Sequence, residues 1–224
     1  ISLCILFIDL NLYSIFLPYV ILILIFSVGV LNAYNFMDGI NGMMGMTSMV
    51  VLAGMVWINS QVVYFVDSNL LYTMLIAVVL FNFFNFRTNA YCFAGDVGAF
   101  SMGIIMVFLL IRLVVVSGNI AWIAMLALFG VDTLLTIIHR LCLGENILHP
   151  HRKHLFQILA NELRVPHVHI SAAYGLIQLL IIIGLILSDQ YSLIVAVAAI
   201  FALSLFYMLI KGKYFHLHCK KAGE

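Results

Sequence analysis

Uninterrupted apolar runs dominate the pattern along the chain, broken at intervals by short polar clusters. A hydrocarbon core of ~30 Å takes ~20 apolar residues to cross as a helix. Runs of about that length occupy 15–31, 47–66, 70–86, 100–116, 120–138, 170–187 and 192–210, while the apolar stretch 1–10 is too short for an eighth. The runs do not alternate as the strands of a membrane barrel would, and a helix satisfies its own backbone polar groups, as lipid requires. The pattern therefore predicts an all-α, polytopic integral membrane helical bundle with seven spans. The methionines Met43, Met44, Met46 and Met49 and the aromatics Phe81, Phe83, Phe84 and Phe86 read as packing or lipid-facing surface, since both residue types fill such positions routinely.

The connections differ sharply in character. Residues 67–69, 117–119 and 188–191 are tight turns without Lys or Arg, whereas 32–46, 85–99, 139–169 and the tail from Lys211 hold nine of the ten basic residues. The positive-inside rule places these longer loops in the cytoplasm. Arg112 is the exception, within its span and expected to snorkel toward the outer surface.

Composition sharpens this. Of 224 residues 65% are hydrophobic and 8% charged, against about 25% charged in an average soluble chain, and the mean hydropathy is +1.19. Too little polar surface remains to cover a soluble fold. The net charge of +1 argues against nucleic acid as a partner. Four scattered cysteines without a CxxC spacing exclude a disulfide framework or thiolate metal site.

All eight histidines fall on the predicted cytoplasmic side, together with Asp38 and Asp96. Ionisable groups gathered at membrane depth are functional candidates. The run Asn32-Ala-Tyr-Asn35-Phe-Met-Asp38-Gly39-Ile-Asn41-Gly42 offers hard oxygen ligands and glycines that let backbone approach a phosphate, or else a solvated turn. In Phe93-Ala-Gly95-Asp96-Val-Gly98, the carboxylate is suited to hold a metal beside a diphosphate at a helix start, or simply to cap that helix. In His149-Pro-His151-Arg152-Lys153-His154, the i,i+3 histidines would share one helix face with two cations alongside, a combination suited to a polyanion. Zinc held by His151, His154 and one of His149, His167 or His169 is an alternative, as is a basic loop resting on anionic headgroups.

Together these segments resemble the polyprenyl-phosphate N-acetylhexosamine-1-phosphate transferases, the family that includes phospho-N-acetylmuramoyl-pentapeptide transferase. The resemblance runs from about Asn32 to Gln157, through Asn32, Asn35, Asp38 and Gly39, the Gly95-Asp96-x-Gly98 loop, Asp132-Thr133 with Arg140 downstream, and His151-Arg152-x-His154-Leu-Phe-Gln157. The last form looks closest to the O-antigen-initiating branch. Two departures stand out: Asn41 replaces the second acid of the usual Asp-Gly-x-Asp-Gly, and the family's adjacent aspartate pair occurs nowhere in the chain.

The resemblance implies transfer of a hexosamine-1-phosphate from a UDP-N-acetylhexosamine to a polyprenyl phosphate, with release of UMP, at the cytoplasmic face of a bacterial cytoplasmic (inner) membrane. Asp96 would hold Mg²⁺ (or Mn²⁺), and Asp38, Asp96, His151, Arg152 and His154 would carry the chemistry. Asn32, Asn35, Asn41, Phe93, Asp132 and Arg140 would contact substrate, with Phe93 stacked on uracil and Asp132 and Arg140 bracing the site. The expected organisation is one membrane-embedded domain over 1–224, compatible with a homodimer. Without an initiator methionine or the aspartate pair, the chain is expected to lack its N-terminal helices and most of its activity. The rival reading is a secondary transporter with Asp38, Asp96 and Asp132 as coupling-ion sites.

Overall fold

A computed structural model describes residues 17–146, 149 and 152–220, without the side chains of 17, 189 and 215–220. Seven helices in it are long and apolar enough to cross a membrane, and the described residues contain no strand. They are α1 (Leu17–Met37), α2 (Met43–Gln61), α3 (Ser68–Asn85), α4 (Gly95–Ser117), α5 (Ile120–Cys142), α7 (His167–Ser188) and α8 (Ser192–Lys220). The short α6 (Leu155–Gln157) continues into a π turn, Ile158–Glu162, and lies in the loop between α5 and α7. The first stretch of α5, Ile120–Leu126, is a 3₁₀ helix.

Each predicted span has become a helix, with two extensions that matter for function. Helix α1 carries on past residue 31 through Asn32 and Asn35 to Met37, and α4 begins at Gly95 rather than at residue 100. A helix satisfies its own backbone, so polar side chains at the headgroup level do not stop it. The chemistry-bearing segments therefore sit on helix ends and the turns between them.

Helices α2 and α5 form the centre, each two-thirds buried along its span, whereas α8 shows most of its surface outward. Lipid tails give helices no hydrophobic reason to associate, so close packing at small residues carries the contact. A Cβ on Gly45 would lie 2.3 Å from Asn82 Oδ1, and one on Gly54 would lie 2.7 Å from Ile182. These two glycines let α3 and α7 approach α2. Met43 and Met44 are buried while Phe83 and Phe84 are exposed on the bundle surface, as packing and lipid-facing residues should be.

The tight-turn end is held by local polar bonds. Asn59 accepts from the Phe65 and Val66 amides at 2.9 and 3.1 Å, and Asn119 donates to Ser192 at 2.9 Å. Arg112 does not simply snorkel outward: half-buried, its Nε donates to the Phe65 carbonyl in the turn between α2 and α3. A backbone carbonyl within reach satisfies the guanidinium where a bare span could not.

Candidate active site

At the opposite end, the three sequence segments pack on one another. Helix α1 stops at Met37 and turns through Asp38 to Gly42, where a φ of 81° requires glycine. The Gly42 amide donates to Asn85 Oδ1 at 2.7 Å, and the Asn85 amide donates to the Cys92 carbonyl at 2.7 Å. Asn41 donates to the Arg87 and Thr88 carbonyls at 2.9 and 3.0 Å, and its own carbonyl accepts from Ser171 at 2.7 Å. One buried asparagine at the end of α3 and one in the turn thus fasten the Asp38 turn to the loop that leads into α4.

That fastening brings Asp38 to Asp96. Asp38 accepts from the Gly95 amide, and Asp96 stands in the first turn of α4, where the helix dipole favours an anion. Burial pushes the Asp38 carboxyl up to about 6, the Asp96 charge adds to this, and the Gly95 hydrogen bond opposes it. Asp96 is exposed and Asp38 half-buried. Two carboxylates that repel each other at an open, oxygen-rich position form a donor set that suits Mg²⁺, which takes one or two carboxylates and completes its shell with phosphates and water. Phe93, 71% exposed, flanks the loop. Asn35 is half-buried one turn before Asp38, and Asn32 is exposed farther back on α1.

The histidine segment meets the same turn from the other side. A Cβ on Gly39 would come within 3.2 Å of the Phe156 ring, so the glycine beside Asp38 makes room for it. The His154 ring lies 5.3 Å from Phe36 and stacks on Phe156 at 5.9 Å. Here the structure corrects two expectations. His154 precedes the helix in extended backbone (φ −66°, ψ 153°), so His154 does not share a helix face with a residue at 151; His151 itself lies outside the described residues. His154 also points inward: it is 1% exposed, with Nδ1 3.4 Å from Asp132 Oδ1. Arg152 is exposed, and Lys153 pairs with Glu145.

Asp132 and Arg140, expected at the substrate, are turned to the protein. Asp132 accepts from the Leu155 amide and Tyr174 hydroxyl at 3.0 Å each and from Thr136 at 3.3 Å. Arg140, 3% exposed, pairs with Glu145 at 3.1 Å and donates to the Asn146 and His149 carbonyls at 2.6 and 3.2 Å. The Lys153 ammonium holds Glu145 below the usual carboxylate range, with Arg140 adding to it. A carboxylate and a guanidinium at membrane depth cost too much unless paired, so they collect partners from the returning loop. Among the described residues no three His, Cys, Asp or Glu side chains gather at one metal position; the zinc alternative includes His151, which lies outside them.

Sequence reasoning missed Asn85, Glu145 and Tyr174. Their one signal was a polar residue at or inside an apolar run, or an acid within a basic loop.

The fold and this polar end are those of a membrane-spanning helical bundle that gathers two neighbouring carboxylates at its loop end. A family model described as glycosyl transferase family 4 matches residues 1–114, slightly more than half of the chain, and no curated protein matches it. The chain belongs to this family, and is a membrane sugar-phosphate transferase of the polyprenyl-phosphate group. The matched stretch contains Asp38 and Asp96; Asp132, Arg140 and the histidine segment lie beyond it.

Proposed function

We propose that the protein transfers an N-acetylhexosamine-1-phosphate from a UDP-sugar to a polyprenyl phosphate such as undecaprenyl phosphate, at the cytoplasmic face of a bacterial inner membrane, and so starts a cell-envelope polysaccharide. The observation that carries this reading is the Asp38–Asp96 pair, fastened by Asn41 and Asn85 and left open at the loop end of the bundle. An apolar crevice of about 370 Å³ supports it. The crevice runs between α1, α5 and α8, from Phe26 to Tyr34 on α1, and the Tyr34 carbonyl bonds the Asp38 amide. An isoprenyl tail lying there brings its phosphate to the carboxylate end.

In the reaction an oxygen of the lipid phosphate attacks the sugar-bearing phosphorus of the UDP-sugar. A new diphosphate bond forms, the bond to the other phosphorus breaks, and UMP leaves with the electron pair. The obstacle is repulsion between anions, so catalysis consists of neutralisation and positioning. Mg²⁺, held by Asp96 with Asp38 beside it, supplies that neutralisation when bound. Exposed Arg152 offers a cation to phosphate oxygens, Phe93 a face for uracil, and Asn35 a polar contact to the nucleotide. Asp38 and Asp96 lie at the bundle's end, not at its midplane, which disfavours an ion-coupled carrier.

The test uses protein expressed from its complete coding sequence, purified in detergent, with undecaprenyl phosphate and either UDP-GlcNAc or UDP-GalNAc. UMP release that needs both lipid and Mg²⁺ supports the reading. Folded protein that forms no lipid-linked sugar with any UDP-hexosamine overturns it.

A further inference from the structure

Beneath the open pair lies a sealed one. Asp132 is 3% exposed in the middle of α5, and four groups face its carboxylate: Tyr174 from α7, Thr136 one turn on, and the Leu155 amide and His154 ring of the loop segment. Two of the four belong to residues 154 and 155, outside the spans. The carboxylate therefore reaches out of the bundle to hold a loop. Neither His154 ring nitrogen has exposed surface, so no phosphate meets them as the segment now sits. The ring is instead enclosed by Phe36, on the α1 turn that leads to Asp38, and by Phe156, which covers Gly39.

We propose that Asp132 and Tyr174 are positioning residues acting through His154, whose imidazole is a strut that holds the 152–157 segment, with exposed Arg152 on it, against the Asp38 turn and does not itself bind phosphate. This rests on the transferase reading above. Tyr174 fixes one carboxylate oxygen, the other takes the Leu155 amide and faces His154 Nδ1, and Arg152 stands two residues before the strut, exposed. A shift of about an ångström at such a support costs on the order of 100-fold in rate.

Substitution at His154 separates strut from ligand, because an Asn amide nitrogen replaces Nδ1 and a Gln amide nitrogen replaces Nε2. His154→Asn is expected to keep UMP release within about fivefold of wild type, whereas His154→Gln and His154→Ala lose on the order of 100-fold. Tyr174→Phe, which strips Asp132 Oδ2 of the hydroxyl, should lower the rate about tenfold while hydrogen exchange rises at residues 152–157 in protein that still melts in one cooperative transition a few degrees lower. The reverse pattern, with Gln active and Asn dead, means direct phosphate contact through Nε2 and overturns the proposal. So does unchanged exchange in a folded Tyr174→Phe variant. Wild-type protein without transferase activity would sink the functional reading, yet the exchange experiment would still decide whether the strut exists.

Discussion

The loop end of the bundle carries two carboxylate clusters that differ in what they leave unsatisfied. Asp38, half-buried, takes one backbone donor from Gly95 and sits against the charge of Asp96, which is exposed. Asp132 is enclosed by Tyr174, Thr136, Leu155 and His154, and its network continues through Thr136 and Tyr207, 2.7 Å apart, to the buried Lys211 on α8. Residue type is the same in both clusters. A carboxylate whose partners are all protein atoms holds structure, while one short of partners and exposed can take a cation or a substrate.

The largest expected break of this contrast is Asp96→Asn. It removes charge from the open pair only, so turnover should fall about 1,000-fold or more while the melting transition barely moves. UMP release at saturating Mg²⁺ is the measurement, and retention of most activity would take Asp96 out of the metal-holding role.

Asn41→Asp sharpens the contrast from another side. The change restores the family's usual Asp-Gly-x-Asp-Gly, yet here the Asn41 amide nitrogen donates to the Arg87 and Thr88 carbonyls, and an ionised aspartate cannot donate. Two bonds of about 1 kcal/mol each are lost, and a charge is set against two carbonyls. Turnover should therefore fall roughly 10-fold, with faster hydrogen exchange across residues 85–94. A more active variant would show that the loop takes another register.

The smallest effect is a gain. Burial and Asp96 raise the Asp38 carboxyl from 3.8 to about 6, so its ionised form opposes folding. Both states are protonated below the unfolded value and the cost is absent; it grows as pH rises from 3.8 to about 6 and is complete above that. Asp38→Asn should then melt a few degrees higher than wild type at about pH 7.5 and no higher at about pH 4, even as activity drops. Equal melting at both pH values would mean the carboxylate is solvated in the folded protein.

Seven apolar runs dictated seven helices, because in lipid a run of that length has one way to satisfy its backbone. The order of Asp38, Asp96 and His154 along the chain likewise pointed to the family, whose model matches the stretch that holds the first two. Which polar residue faces outward was not legible. Asp96 and Asp132 look alike as letters in an apolar sequence, and His154 looks like any ligand in a basic loop. Their difference comes from tertiary contacts: Tyr174 from 42 residues away closes on Asp132, and Asn41 crosses to a loop 46 and 47 residues on. Hydrogen-bond partners supplied from such distances decide whether a polar group is spent or open, and only the assembled bundle brings them together.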